Sequence, residues 1–199
     1  MEKIDPFKKY KSILEKYLLP GTPKLLSQAW IEPWRKYHNI DHLKEILNEL
    51  EKWKNKSYPI QWDALVLAAF FHDAVYVPIR KDNEDQSISR FLANFINKNK
   101  SLHNIMSNKI CQMIESTKFR KRPTDPLLQI FWDADNAIFK EGIVKLTEYE
   151  KKIREEFKFY SNLDYKKGRL IFLNSCIGTM GPKVDQNIKE LIEFVKINY

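Results

Sequence analysis

Glycine is scarce in this chain, 5 in 199 residues. Strand-and-turn proteins need more of it at tight turns, so the shortage favours an all-helical domain. Cysteine is scarcer still. Cys111 and Cys176 lie far apart with no CxxC spacing. That argues against a zinc knuckle and a disulfide framework, and it fits a reducing, cytoplasmic compartment. No apolar run reaches the length of a membrane span; the longest, ALVLAAFF, is broken by His72-Asp73. The N-terminal MEKIDPFKKY is charged and has no apolar signal core, so neither export nor a membrane partner is expected. Internal repeats, low-complexity tracts and linkers are missing too.

Hydrophobic residues make up 43% of the chain and charged residues 30%, enough for a core and its cover. The length fits one domain over residues 1–199. The formal net charge is +8. Such a balance suits a phosphate-bearing small molecule, nucleic acid or a membrane surface, or is simply a solvated lysine-rich surface.

Asp5-Pro6 reads as a cap followed by the first helical position. Tyr10, Ile13, Leu14, Tyr17 and Leu18 then recur at helical spacing until Pro20-Gly21. A short helix is expected from Lys24 to Ile31, and the next begins near Asn39 or Asp41. WDALVLAAFFHDAVY, Trp62 to Tyr76, is apolar nearly all round, as a buried central helix would be. DNEDQSISRFLANFI opens with acids and turns amphipathic. Helices over 102–115, 126–139, 143–159, 165–177 and 184–197 complete one all-α domain of roughly eight to ten helices.

Four histidines are present, and two of them, His38 and His42, stand four residues apart in KYHNIDHLKEIL. On a helix that spacing puts both side chains on one face. His72-Asp73 interrupts the apolar helix. A buried carboxylate needs a partner, and a divalent metal satisfies an imidazole and a carboxylate together; an arginine or a backbone amide would also serve Asp73. Asp133 and Asp135 interrupt IFWDADNAIF in the same way. Positions two apart on a helix diverge by about 200°, so only one of them can face a common centre. A histidine, the His-Asp pair and a later aspartate make a four-ligand set that leaves coordination positions open.

The order H…HD…D in helical sequence resembles the HD superfamily of metal-dependent phosphohydrolases. More narrowly, RKYHNIDH, AAFFHDAVY, DNEDQSI, DADNAIF and KIREEF look like a bacterial branch of that superfamily. The resemblance implies an all-α bundle that hydrolyses phosphate esters, commonly nucleotides, with His42, His72, Asp73 and Asp135 on one divalent ion. Mn, Co, Ni, Zn, Fe and Mg all suit such a set. YHNIDH is also similar to the YHNxxH motif of cyclic-nucleotide phosphodiesterases, which implies that His42 binds metal and His38 donates a proton to the leaving group. Two-metal HD proteins supply further histidines downstream, and here the only one is His103.

Glu84 stands where the branch has an Asn-Glu. It is either an acid that orients the attacking water, alongside Asp133, or a first-turn acid on the helix dipole. Arg35, Lys81, Arg154 and Arg169 are expected against a phosphorylated substrate, with Lys118, Arg120, Lys121 and Arg122 as a further basic loop. Trp34, Tyr37, Tyr76 and Trp132 flank the motifs as core residues or as stacking surfaces for a base. Val77 and Asn136 depart from the branch, which often has Asp and Leu there. The expected partner is a small phosphorylated molecule, a nucleotide above all. The alternative is an inactive HD-fold module holding nucleotide or nucleic acid on its basic surface.

Overall fold

The computed structural model describes residues 5–96, 100–118 and 121–199. Capping chemistry sets many of the helix starts. Asp5 accepts from the Phe7 N–H at 3.0 Å and Pro6 opens α1 (Pro6–Lys9). The expected first helix is interrupted at Tyr10, whose ψ of 17° leaves helical geometry, and resumes as α2 (Lys11–Tyr17). Gly21, with a left-handed φ of 88°, turns the chain into α3 (Thr22–Ala29). Of the two candidate caps for α4 (Ile40–Glu51), Asn39 is the one used: its Oδ1 accepts from the Asp41 N–H at 2.8 Å.

The next helix, α5 (Pro59–Phe71), is buried on every face from Trp62 to Phe71, as its apolar sequence requires. It stops at His72, before the expected end at Tyr76, so the His-Asp pair lies on a helix terminus. α6 (Asn83–Asn94), α7 (Lys100–Ser116) and α8 (Pro126–Asp135) follow. Asp125 caps α8 by accepting from the N–H groups of Leu127 and Leu128. A 3-10 turn, Ala137–Lys140, leads to α9 (Ile143–Glu156), α10 (Asn162–Cys176) and α11 (Pro182–Asn198). Among the described residues there is no strand, only an isolated bridge between Leu18 and Phe95. The expected all-α single domain is therefore what the chain forms.

Packing divides the core in two. α5 lies against α2, α4, α6, α7 and α8, with Leu65 to Phe71 fully buried. Each buried Leu, Val or Phe contributes about 1.5–3 kcal/mol, so this helix anchors the first half. The second cluster joins Phe139 of the 3-10 turn to Leu146, Ile153, Leu173, Ile188 and Leu191 of α9, α10 and α11. Tyr37, from the loop before α4, packs into this second cluster, its ring centroid 4.5 Å from that of Tyr149. That loop therefore lies on the seam between the halves.

Candidate metal centre and its pocket

Four donor residues meet at the seam. His42 sits in the first turn of α4 behind the Asn39 cap, His72 ends α5, Asp73 follows it, and Asp135 is the last residue of α8. His72 Nε2 lies 3.4 Å from His42 Nε2, 3.2 Å from Asp73 Oδ2 and 3.6 Å from Asp135 Oδ1. His42 Nε2 is 3.3 Å from the same Asp135 oxygen. His42, His72 and Asp73 could hold a metal ion, with donor atoms all within 4.8 Å of one another.

The donor set fits a first-row dication. Bonds of about 2.0–2.2 Å in a tetrahedral shell place neighbouring donors about 3.3–3.6 Å apart. That is close to the 3.4, 3.2, 3.6 and 3.3 Å found for His42–His72, His72–Asp73, His72–Asp135 and His42–Asp135, although Asp135 falls outside the group whose donor atoms all lie within 4.8 Å of one another. The His72 ring is already turned for ligation, because its Nδ1 donates to the Ala69 carbonyl at 2.9 Å and so points Nε2 inward. The outer nitrogen of His42, Nδ1, is buried without a hydrogen-bond partner.

His38 is not on the helix. Asn39 is extended at φ −119° and ψ −170°, so His38 precedes the cap instead of lying one turn along the same face. It reaches the site from the loop, its ring 5.7 Å from that of His42 and stacked on Tyr76 at 4.3 Å. Glu156, at the end of α9, holds it there. One carboxylate oxygen lies 2.7 Å from His38 Nδ1 and 2.7 Å from the Tyr76 hydroxyl, which donates to it. The other accepts from the N–H groups of Lys36, Tyr37 and His38 at 2.7, 2.8 and 3.0 Å. This buried acid was not singled out from sequence. Its signal was there, because Leu146, Tyr149, Ile153 and Glu156 share one helical stripe.

Electrostatics bind these groups together. Burial works against every charge, yet the His72 charge and hydrogen bond hold Asp73 well below the usual carboxylate range, with His38 and His42 adding to the effect. Asp135 is lowered against its own burial by the hydrogen bond from His42 and the charge of His72. Burial would depress His72, but Asp73 first and then Asp135 push it up to about 9. His38 is likewise raised despite burial, through Glu156, and Glu156 is brought down to about 2 through His38 and Tyr76.

A pocket of about 350 Å³ opens over this cluster, lined by His38, His72, Asp73, Tyr76, Glu84 and Asp135 among others. Glu84 thus faces the site, and no hydrogen bond or ion pair holds its carboxylate among the described residues. Asp133 does not face it. As the helical angle requires, it points away from Asp135 and is gripped by Arg122 through Nε at 2.9 Å and Nη2.

Of the four cations expected at the substrate, only Arg169 lines the pocket. Arg35 is buried beneath it: Nη1 donates to the carbonyls of His38 and Asp73 at 3.0 and 2.8 Å, and Nε to Glu32. It ties the two motif segments together and does not line the pocket, and its Nη2 is buried without a hydrogen-bond partner. Lys81 is exposed and outside the wall, while its neighbour Arg80 lines the pocket already paired with Asp82 at 2.8 Å. Arg154 closes the end of α9, donating to the carbonyls of Phe157 and Tyr160 and to Asn162.

In the basic loop, Lys118 pairs with Asp85 and Lys121 is exposed; Arg120 lies outside the described residues. Tyr37 and Tyr76 line the pocket, Trp132 is core, and the Trp34 indole N–H donates to the Tyr76 carbonyl. His103 packs on Phe95, away from the centre. At the two departures, Asn83 clamps both backbone groups of Val77, and Asn136 is buried with its amide on the Trp132 carbonyl.

No protein-family model, no curated protein and no solved structure matches the chain. No described helix is long and apolar enough to cross a membrane.

Proposed function

We propose that the chain is a metal-dependent phosphohydrolase of the HD type, acting on a phosphate ester, a nucleotide or a related small phosphorylated molecule. The observation that supports it best is the convergence of His42, His72, Asp73 and Asp135 beneath a pocket that the last three line and whose rim carries the Glu156-held His38. Those four residues would hold one divalent ion. When bound, such an ion polarises a phosphoryl oxygen and lowers the pKa of its water.

The chain's own residues supply the rest. Glu156 accepts a hydrogen bond from His38 Nδ1, so Nε2 is the nitrogen left for the pocket. The carboxylate also favours the charged imidazolium, so a proton is at hand for the leaving oxygen near neutral pH. Glu84, unpaired on the wall, is the group that orients the attacking water. Asp133 has no part in this scheme, since Arg122 occupies it. Arg35 acts by fixing the backbone of His38 and Asp73.

The test separates binding from chemistry. The purified chain should melt higher with Mn²⁺, Co²⁺, Ni²⁺ or Zn²⁺ and turn over a phosphate ester. His42→Ala should lose the metal shift. His38→Ala should keep it and lose rate by about 10²–10⁴-fold. No shift with any of these ions would refute the metal reading. A shift without hydrolysis of any ester would favour a binding module that uses the +8 charge.

A further inference from the structure

The pocket has two chemically different ends. One carries the histidines and aspartates of the candidate metal centre; the other is walled by Ile153 and Phe157 at α9 and by Phe172 of α10. Ile153, Phe157, Arg169 and Phe172 also wall a second cavity of about 370 Å³, which extends to Tyr160 and Tyr165. Arg169 stands where the two abut.

Arg169 is held rigidly and its charge is already matched. Its Nε donates to the fully buried Glu150 at 2.7 Å, and its guanidinium lies over the rings of Tyr149 and Phe172 at 5.0 and 4.6 Å. The residue is only 7% exposed, yet Nη2 is buried with no hydrogen-bond partner. A fixed donor with no acceptor is costly unless a ligand supplies one. The surroundings select the acceptor. Glu150 is beside the guanidinium, and Asp164 lines the second cavity. A second phosphate there would meet both carboxylates. A neutral carbonyl meets no such repulsion, and the aromatic walls suit a flat ring.

Gly168 is an independent pointer. It lies inside α10, where glycine is unfavourable. Its φ is not positive, and a Cβ built on it meets nothing within 4 Å. Neither backbone conformation nor close packing calls for glycine here. What the missing side chain leaves is room in the second cavity, which Gly168 lines.

We infer, on the basis of the phosphohydrolase reading, that the two cavities form one elongated substrate site. The phosphoryl group lies at the histidine–aspartate end, and an uncharged planar ring lies between α9 and α10 with an acceptor on Arg169 Nη2. The substrate class is a phosphomonoester bearing a neutral flat ring, and neither a bare sugar phosphate nor a polyphosphate.

Uridine 5′-monophosphate and ribose 5-phosphate differ by the ring alone and test this on the full metal-loaded chain. The expected kcat/KM ratio favours the ring compound by about tenfold or more, and uridine itself binds in calorimetry. Gly168→Leu places a good helix former in the cavity. It should melt no lower than the unaltered chain, bring the ratio close to one and abolish uridine binding. Arg169→Lys, which keeps a cation for Glu150 but lacks Nη2, should lower the ratio in the same direction. Equal kcat/KM for the two esters in the unaltered chain, or a ratio that Gly168→Leu leaves alone, overturns the inference. Should uridine bind and Gly168→Leu abolish that binding while neither ester is hydrolysed, the ring site stands and the phosphohydrolase reading falls.

Discussion

Replacing Glu156 by glutamine tests how the rim of the site is held. The carboxylate is 1% exposed and meets five polar groups, three backbone N–H groups of residues 36–38, the His38 ring and the Tyr76 hydroxyl. Burial alone would raise its pKa, but His38 and Tyr76 bring it from 4.5 down to about 2. That difference corresponds to roughly 3 kcal/mol of stability at neutral pH. Because the folded-state value is depressed, this stabilisation is complete above about pH 4.5 and is lost as pH falls through about 2.

Glutamine keeps the volume, so no cavity complicates the reading, but it turns an –NH₂ toward donors on one side. In urea unfolding at pH 7, Glu156→Gln should be less stable by about 3 kcal/mol, and by only about 1 kcal/mol near pH 3. A chain with typical stability of about 5–15 kcal/mol stays folded under that loss. The same substitution removes the charge that raises His38, so the basic limb of kcat against pH should move to lower pH. A stability gap that does not narrow with acid, or a basic limb that stays in place, would refute the role given to Glu156.

Metal affinity should depend on pH, because His72 holds its proton up to about 9 in the metal-free protein. Metal must displace that proton, so apparent affinity should rise about tenfold per pH unit below that value; calorimetry giving a flat profile from pH 6 to 8 would contradict it. Arg35→Lys should lower stability by about 2–3 kcal/mol, since one ammonium cannot serve the His38 and Asp73 carbonyls and Glu32 in the same fork. A fall in kcat/KM with unchanged melting would instead mean that Arg35 touches substrate. Asp133→Asn should cost no more than about 1 kcal/mol in urea unfolding, because its pair with Arg122 is partly exposed. Its rate should stay within about twofold; a tenfold loss would return Asp133 to the chemistry.

Much of the architecture was legible because helical order leaves a periodic trace. The all-round apolar run of α5 identified the central helix, and Asn39, one of two candidate caps, and Pro126 marked real helix starts. The ends were less legible. α5 stops at His72 although AVY continues the apolar run: Pro78 has no N–H to offer the Ala74 carbonyl, which limits any extension, and the Asp73 and Ala74 carbonyls are taken instead by Arg35 and Arg90. Such long-range capture leaves no local pattern. The four candidate ligands stood out in the sequence for a related reason: an acid or histidine inside an apolar stripe is an exception that needs a partner. The arginines could not be sorted that way, since Arg35, Arg154 and Arg169 differ only in which carbonyls and acids fold against them.

The division of labour between the two halves follows from where these residues lie. His42, His72, Asp73 and Asp135 all come from α4, α5, α8 and their ends, which pack in the first core cluster. Glu156, Glu150 and Arg169 come from α9 and α10, which build the second. The candidate metal-holding set therefore draws on none of the C-terminal helices. The protonation of His38 and the far wall of the pocket do draw on them, because Glu156 and Phe172 belong to those helices. Tyr37 and the N–H groups of residues 36–38 carry the coupling, gripping Tyr149 and Glu156 on one side while the same loop leads into the His42 helix on the other. Loosening the second cluster should thus uncouple proton delivery and substrate choice from metal binding.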